Sequence, residues 1–331
     1  MTRRIGIIGC GKQAEKHLQG YRKHGVTDIT LVDIDPARAE SMATAQGVST
    51  ARSLDALFAR GVDGLDICTP TPAHFECAKA ALEAGVPFLV EKPLTSSAEQ
   101  AAILQKLSQD TGVPGAVGFT YRFVPAFRHF REVIGAGELG EMISATLRIG
   151  GRGSQAAWKH RRAEGGGAVR EMLVHMLDLA SWVMGPVASF SLLDVAQRQP
   201  TRMIAGVETN VDAEDWITLT DQHESGAVTT LVCDFTTPSF IQYAEFQGRA
   251  GSAFGSIQPH LPAVLVKAAD TPGYARGSHP LNLGAADLVA DMIGNYLGVI
   301  DGTQSPVCSL ADAASGQRLL DEVLAAAHAR L

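Results

Sequence analysis

The stretch "GIIGCGKQAEKHL", residues 6–18, joins an apolar run to a glycine-rich turn and the start of a helical pattern. Gly9, Gly11 and Ala14 have the GxGxxA spacing of turns that lead from a strand into a helix and bind a dinucleotide. In such a turn Gly9 permits the tight bend, Gly11 the approach of a pyrophosphate, and Ala14 close packing of helix on strand. Backbone amides near Lys12 and Gln13, at the positive end of the helix, would bind the phosphates. The spacing alone is a weak signal, because glycine-rich turns also have purely structural roles.

The residues around this turn alternate between short apolar runs and helical patterns. Strand candidates are RIGIIG, DITLVD, GLDICT, VPFLVE and GAVGF, separated by helical stretches such as PARAESMATAQ and PAHFECAKAALEAG. Runs that are apolar almost throughout are typical of strands covered by helices on both faces. The alternation predicts an α/β fold in which residues 1–120 form a Rossmann domain with a doubly wound parallel sheet.

An acidic residue ends the second of these strands, in "LVDIDP". Asp33 stands close to the offset at which a carboxylate binds the ribose hydroxyls of NAD, and Ile34 and Asp35 follow it. Carboxylates at this point repel the 2'-phosphate of NADP, so the sequence favours NAD as the cofactor, with Asp33 and Ile34 as contacts. An ordinary loop aspartate is the alternative.

Two later strand ends add candidate residues. Ligands of open α/β sheets bind outside the carboxyl ends of the strands, so Thr69 and Pro70 in "CTPTPAH" are expected beside the cofactor. His74, near the start of the following helix, is a further candidate for the cofactor site, with a structural role as the alternative.

The fifth strand ends in "VEKPLT", which contains Glu91, Lys92 and Pro93. A lysine after an apolar strand is most often a solvated surface charge. At a carboxyl edge, however, Glu91 and Lys92 would border the nicotinamide, and the Lys92 cation would bind a substrate hydroxyl and ease its deprotonation. Pro93 is a candidate for a cis peptide bond.

The stretch "EGGGAVREMLVHMLDLASWVMG", residues 164–185, predicts a helix introduced by three glycines. The spacing of Glu171, His175 and Asp178 places all three on one face, and Trp182 continues that face. Three interpretations are open: a metal site, a buried structural His–Asp pair, or an acid–base centre with His175 as the base. The chain has no HExxH motif and no second histidine on this helix, so no metal site is expected.

Length and composition limit the possible classes of protein. The 331 residues suffice for two domains, and the net charge of −7 gives no basic surface for nucleic acid. The five cysteines are odd in number and never in CxxC spacing, so neither disulfides nor a zinc site is indicated. The start of the chain lacks the long apolar core of a signal peptide, and no run is as long as a membrane span, so a cytoplasmic location is expected.

Several motifs together resemble the glucose–fructose oxidoreductase and inositol dehydrogenase family (Gfo/Idh/MocA). They are GCGKQAEKHL, TPTPAHFECAKAALEAGVPFLVEKPL, GFTYRFVPAF, GGGAVREMLVHMLDLASWVMG and FQGRAGS, in this order along nearly the whole chain. The resemblance implies a second α/β domain, residues 121–331, with a large, mostly antiparallel open sheet for substrate binding and oligomerisation. The second half agrees with this, since it contains successive strand patterns from GEMISATLRIGG to IQYAEFQG before helical periodicity returns.

The resemblance also implies site residues and an activity. In the family the histidine corresponding to His175 works with the lysine corresponding to Lys92, and Asp commonly stands where this chain has Glu171. Tyr121 and Arg122 in "TYRF", and Trp158 and Lys159 in the polar loop before the glycines, are implied as pocket residues. Core or surface roles are the alternatives for these four.

The function predicted from these features is that of an NAD-dependent oxidoreductase acting on a secondary hydroxyl or ketone of a sugar, polyol or sugar derivative. A nucleotide-sugar or sugar-acid dehydrogenase and an NAD-binding regulator without turnover remain as alternatives. A homodimer or homotetramer formed through the second sheet is expected, with neither nucleic acid nor membrane as a partner.

Overall fold

The computed structural model describes residues 3–258 and 260–331; Met1, Thr2 and Pro259 lie outside the described residues. Its helices and strands are, in chain order, β1 (Arg4–Ile8), α1 (Lys12–Lys23), β2 (Asp28–Val32), α2 (Pro36–Gln46), β3 (Ser49–Thr50), α3 (Leu54–Ala59), β4 (Gly64–Ile67), α4 (His74–Glu83), β5 (Phe88–Val90), α5 (Ala98–Thr111), β6 (Gly115–Val117), α6 (Pro125–Gly135), β7 (Met142–Gly150), α7 (Val174–Met184), β8 (Val187–Ala196), β9 (Thr201–Ile204), β10 (Val207–Asn210), β11 (Trp216–His223), β12 (Val228–Asp234), β13 (Ile241–Gly248), β14 (Gly251–Gly255), β15 (Ala263–Lys267), β16 (Gly277–Leu281), α8 (Leu288–Ile300) and α9 (Leu310–His328). Among the described residues, no helix is both long enough and apolar enough to cross a membrane.

The first compact unit comprises the residues up to Phe123 together with Ala286–Arg318. Its six strands are all parallel, in the order β3-β2-β1-β4-β5-β6. This is the doubly wound sheet that the alternation of strands and helices predicted, and its central strands are buried throughout or nearly so.

Local sequence accounts for where several of these helices begin and end. Asp35 caps α2 by accepting a hydrogen bond from the Ala37 amide, and Gly47 ends the helix in the left-handed conformation. Ser97 and Gly112 do the same for α5. These ends follow from the chain itself and need no tertiary contact.

The first unit differs from the predicted division of the chain at residue 120. Helix α8 was expected in the second domain, but it belongs to the first unit because its apolar face packs into that unit's core. A Cβ added at Gly20 of α1 would lie 3.0 Å from Ile293 Cγ1, so the two helices pack closely. Tyr296 is fully buried, and its hydroxyl lies 2.8 Å from the Pro87 carbonyl oxygen and 3.0 Å from that of Leu65.

The second unit, Val124–Ala285 with Leu319–Leu331, contains an eight-stranded sheet. The strand order is β16-β15-β14-β13-β7-β12-β11-β8, and every pair is antiparallel except β7 with β12. The predicted open, mostly antiparallel sheet is therefore confirmed. The alternation of its strands buries one face, as at Leu147 and Ile149, whereas Thr146 and Arg148 on the other face are only partly buried. Strands β9, β10 and β14 to β16 were not predicted.

Candidate active site

The glycine turn has the geometry that a dinucleotide requires. Gly9 has a φ of +90°, and a Cβ there would lie 2.8 Å from the backbone of Cys68 and Thr69 at the end of β4. Beside Gly11 the space is open, since an added Cβ would meet nothing within 4 Å. Helix α1 starts at Lys12 with no side-chain cap on its first amides. An uncapped helix start next to open space fits a pyrophosphate.

Asp33 is held where it can accept hydrogen bonds from a ribose. One carboxylate oxygen accepts from the Cys10 amide at 2.7 Å, and the other accepts from the Asp35 amide at 2.9 Å. The side chain stays partly exposed, and Ile34 beside it is fully exposed. A carboxylate held by two backbone amides still has lone pairs that can accept hydrogen bonds from ribose hydroxyls. An exposed isoleucine offers an apolar surface to the base of the nucleotide.

The end of β4 offers a second polar atom. The Thr69 hydroxyl is buried and has no hydrogen-bond partner among the described residues. Buried polar atoms are normally satisfied, so an orphaned hydroxyl at a carboxyl strand end fits a site completed by a ligand. Pro70, the next residue, is exposed.

His74 lies in a different position from the one expected of a cofactor contact. Its ring is buried, with Nδ1 2.9 Å from the Pro93 carbonyl oxygen and Nε2 2.9 Å from the Thr69 carbonyl oxygen. The imidazole therefore links the turn after β4 to the turn after β5. These contacts favour the structural role that the sequence had left open as the alternative.

The turn after β5 is built around the Glu91 carboxylate. Glu91 Oε1 accepts from Gln13 Nε2 at 2.9 Å and lies 3.0 Å from His17 Nε2, and Oε2 accepts from the Lys92 amide at 3.2 Å. The following Lys92–Pro93 peptide bond is cis. Glu91 and the Gln13 side chain, both expected at the cofactor, thus bind each other, and His17 is a member of the group that the sequence analysis missed.

Helix α7 is preceded by a π-helical turn, Val169–Leu173. Glu171 therefore lies in a π turn, which has more residues per turn than the α-helix that the sequence predicted here. His175 is partly exposed and Asp178 is buried, both within the regular part of the helix. π turns of this kind occur often at functional sites.

Two of the three glycines before the helix, Gly166 and Gly167, lie so close to neighbouring residues that neither has room for a side chain. A Cβ on Gly166 would lie 2.4 Å from the Lys159 carbonyl carbon, and a Cβ on Gly167 would lie 2.1 Å from Glu214 Oε1. The Gly167 amide donates to the Lys159 carbonyl oxygen at 3.0 Å. Only glycine lets the loop that carries Trp158 and Lys159 lie directly on the start of the helix.

The polar loop is not a uniform cationic surface. Lys159 forms an ion pair with Glu171, and its ammonium lies 5.1 Å from the centroid of the Trp158 ring. His160 is buried, with Nε2 2.8 Å from the Ser154 carbonyl oxygen, and Arg161 is paired with Glu164. The loop thus presents to solvent the Trp158 indole and two neutralised pairs, Lys159–Glu171 and Arg161–Glu164.

Tyr121 and Arg122 lie in a 3₁₀ turn, Thr120–Phe123, and both are buried. The Arg122 guanidinium donates to the Val307 carbonyl oxygen at 2.9 Å and lies 3.4 Å from Asp312 Oδ2. These contacts favour a core role for Arg122 over the pocket role that the resemblance implied.

The first unit is thus a Rossmann-type dinucleotide-binding unit by strand order, glycine turn and fixed carboxylate. Residues 3–119 match the family model described as an oxidoreductase family with an NAD-binding Rossmann fold, and residues 127–254 match the GFO/IDH/MocA C-terminal domain. The chain belongs to the Gfo/Idh/MocA oxidoreductase family.

Curated relatives include inositol dehydrogenases. The chain is 34% identical over 189 residues to inositol 2-dehydrogenase of Rhizobium meliloti, and 32% identical over 182 residues to the myo-inositol dehydrogenase Hyg17 of Streptomyces leeuwenhoekii. It is 31% identical over 191 residues to D-glucoside 3-dehydrogenase of Escherichia coli. Each match spans about half of this chain and about half the length of the relative, between 54% and 56%.

Solved structures share the fold over the whole chain. A levoglucosan dehydrogenase in complex with NADH superposes with a TM-score of 0.86 at 20% identity, covering 99% of this chain and 97% of the other. An oxidoreductase domain protein from Kribbella flavida gives 0.86 at 22% identity, covering 100% and 98%.

Proposed function

We propose that the protein is an NAD-dependent oxidoreductase that moves hydride between the nicotinamide and a secondary hydroxyl or ketone of a sugar or polyol. The observation that carries the proposal is the uncapped glycine turn beside a carboxylate, Asp33, that two backbone amides hold in place. The family supports it, and the dehydrogenases among the matched relatives supply the substrate class.

The preference for NAD over NADP follows from charge. Asp33 is fixed and partly exposed, and Asp35 follows it at the start of α2. A 2'-phosphate at this place would meet negative charge at short range, whereas the two ribose hydroxyls of NAD are donors to a carboxylate.

We assign the acid–base work to His175 and Lys92. The nicotinamide cofactor, when bound, supplies the hydride acceptor or donor. His175 would take the proton of the substrate hydroxyl, and the Lys92 ammonium would stabilise the oxygen as it loses that proton. Histidine suits this role because its pKa lies near neutrality, and His175 is partly exposed on a helix whose other side is buried. Asp178 orients the imidazole or a neighbouring substrate hydroxyl.

The loop favours a neutral substrate over a strongly anionic one. Of its cationic side chains, Lys159 is paired with Glu171 and Arg161 with Glu164, His160 is buried, and the Arg162 guanidinium lies 3.4 Å from the Asp212 carbonyl oxygen. The half-exposed Trp158 indole is a suitable surface for the C–H face of a sugar or cyclitol ring. A sugar acid or a nucleotide-sugar would need several cations that carboxylates do not already neutralise, and among residues 158–164 of the described part of the chain Arg162 is the one such guanidinium.

The open face of the second sheet is proposed as an oligomer interface. On strands whose alternate residues are buried, Val228 is 39% exposed and Val266 is 46% exposed, and Tyr243 is partly exposed on the same face. Exposed apolar groups on one sheet face are typical of association surfaces. Light scattering coupled to size-exclusion chromatography would give a dimer or tetramer; a monomer at micromolar concentration would contradict this part of the proposal.

The activity is tested by a substrate screen. Purified protein is mixed with NAD and, in parallel, with NADP, and polyols, aldoses, glucosides, sugar acids and nucleotide-sugars are added one at a time while the absorbance of the reduced nicotinamide is followed. Neutral polyols or sugars with NAD are expected to give turnover. Turnover with anionic substrates alone, or equal use of NADP, would contradict the substrate class or the role of Asp33.

A further inference from the structure

A histidine inside the first unit is enclosed by two carboxylates. His17 of α1 has no exposed surface, and its Nδ1 lies 2.9 Å from one oxygen of Asp66 and 3.1 Å from the other. Its Nε2 lies 3.0 Å from Glu91 Oε1. Asp66 belongs to β4 and Glu91 follows β5, so this one ring joins a helix to the ends of two neighbouring strands.

The geometry favours the doubly protonated form of the ring. An ionised carboxylate can only accept hydrogen bonds, so both ring nitrogens of His17 must donate, which only the imidazolium does. Burial works against a charged ring, but Asp66 and its hydrogen bond outweigh that effect and raise the pKa of His17 well above its usual value. Burial likewise opposes ionisation of Glu91, but the hydrogen bond from His17 outweighs it and lowers the pKa of Glu91 to about 2.

Of the titratable groups that surround this trio, Lys92 carries a positive charge that also favours the ionised form of Glu91, whereas a thiol and two phenols are neutral. Cys68 Sγ lies 3.5 Å from His17 Nδ1, and burial raises the pKa of this thiol to about 12. Burial also raises the pKa of Tyr21 and of Tyr296 well above their usual values, so both phenols stay neutral. The positive charge of His17 is what allows the Asp66 and Glu91 carboxyl groups to lie close together in the core.

We propose that His17 is a positioning residue: an imidazolium between two carboxyl groups that holds Glu91 in place and, through Glu91, the main chain of Lys92. Glu91 Oε1 accepts from both His17 and Gln13 of the glycine turn, and Oε2 accepts from the Lys92 amide. The cation thereby ties the cofactor turn to the turn that carries the proposed catalytic lysine. This proposal rests on the proposed function only for the role of Lys92.

Loss of the cation has a defined consequence. In His17→Gln a neutral amide would face two buried carboxylates, which repel each other. Glu91 would then take up a proton or turn away, and the contacts to Gln13 and to the Lys92 amide would weaken. Misplacement of a catalytic group by about 1 Å reduces the rate by roughly 100-fold, so a loss of 10- to 100-fold in kcat/KM is expected.

Nuclear magnetic resonance of the wild-type protein labelled with ¹⁵N-histidine tests the charge directly and needs no substrate. The His17 ring is expected to keep two protonated nitrogens at a pH well above 6.5, and this signal should be absent in His17→Gln, which distinguishes it from His74, whose two nitrogens also face acceptor oxygens. His223 is the internal control, since it is equally buried but has the neutral partners Gly185 and Thr229, and burial lowers its pKa.

A His17 ring with one unprotonated nitrogen at pH 7.5 would overturn the proposal. Because the ligand atoms of His17, Asp66 and Cys68 lie within 4.8 Å of one another, a bound metal ion is the chief competing explanation for a ring that does not titrate. A metal-bound ring would also keep one nitrogen without a proton, so the same spectrum separates the two cases. If His17→Gln does not fold, the resonance of the doubly protonated ring is assigned to His17 by the change in its chemical shift in the Glu91→Gln variant.

Kinetics and cofactor binding test the positioning role separately. His17→Gln is expected to weaken NAD binding and to lower kcat, and the double variant His17→Gln, Asp66→Asn should recover part of both, because it removes one of the two repelling carboxylates. A folded His17→Gln protein with wild-type kcat and NAD affinity would overturn the positioning role. If the wild-type protein turns over no sugar or polyol, the proposed function fails while the spectrum and the NAD affinities still decide the role of His17.

Discussion

The Asp221 carboxyl group in β11 gives a quantitative prediction for stability against pH. The side chain has no exposed surface, and neither oxygen has a hydrogen-bond partner among the described residues. Burial raises its pKa from 3.8 to about 7. The folded protein therefore retains a proton that the unfolded chain releases near pH 4.

The magnitude follows from the size of the shift. A change of about 3 pKa units at roughly 1.4 kcal/mol each gives about 4 kcal/mol. Because the folded pKa is the higher one, this contribution to the free energy of unfolding is fully present below pH 3.8 and is lost as the pH rises to 7, by about 1.4 kcal/mol per pH unit. Above pH 7 the full loss remains.

Asp221→Asn keeps the shape of the side chain and removes the titration. Relative to wild type, the variant should gain roughly 2 to 3 kcal/mol between pH 5 and pH 8. Urea unfolding followed by tryptophan fluorescence at several pH values measures this difference. The prediction concerns the change with pH, because burial of an unpaired amide adds a cost that is the same at each pH.

Asp234→Asn is the matched control, since Asp234 is another fully buried carboxylate of the same sheet. Burial opposes its ionisation, but the Thr237 amide and Arg148 outweigh this and lower its pKa. Asp234→Asn should therefore destabilise the protein above pH 4, and its effect should shrink as the pH falls. A constant difference between Asp221→Asn and wild type from pH 5 to 8 would refute the reasoning for Asp221.

Three further predictions concern the site. Gly9→Ala should destabilise the protein by about 1–3 kcal/mol and weaken NAD binding, because the new Cβ meets the backbone at the end of β4 and the residue has a positive φ. Thermal unfolding measures the stability and fluorescence titration the NAD affinity. An unchanged melting temperature would contradict the crowding. Asp33→Ser should lower the preference for NAD over NADP in kcat/KM by at least roughly tenfold, because charged hydrogen bonds to ribose are lost; an unchanged ratio would remove Asp33 from cofactor selection. Glu171→Asp shortens the side chain by one methylene, so it should break the ion pair with Lys159 and raise KM roughly 2- to 5-fold with kcat nearly unchanged. A fall in kcat alone would place Glu171 in the chemistry. Glu171→Gln, which keeps the length of the side chain, is the control.

The sequence predicted the parts of the fold that local patterns determine. The glycine turn and the alternation of strands and helices are both encoded within a few residues of where they act. The assignment of α8 to the first unit was missed because its apolar periodicity predicts a helix and does not identify the surface that Ile293 and Tyr296 pack against.

The site was predictable in its residue types and less so in its contacts. Nothing in "VREML" separates a π turn from an α-helix, so the π turn that contains Glu171 could not be foreseen. His17 shares a buried face of α1 with Ala14, Leu18 and Tyr21, which indicates burial, but its partners Asp66 and Glu91 lie 49 and 74 residues away. Contacts over such separations depend on the topology of the sheet, which a single sequence does not resolve.

The central claim is that the protein binds NAD and uses Lys92 and His175 for acid–base chemistry. Its most direct test measures NAD affinity and turnover together in Lys92→Ala and His175→Ala, with the exposed Lys106→Ala as control. Both variants should bind NAD about as tightly as wild type while kcat falls by about 10²- to 10⁴-fold, and the control should be unchanged. Wild-type turnover in either variant, or absence of NAD binding by the wild-type protein, would contradict the account.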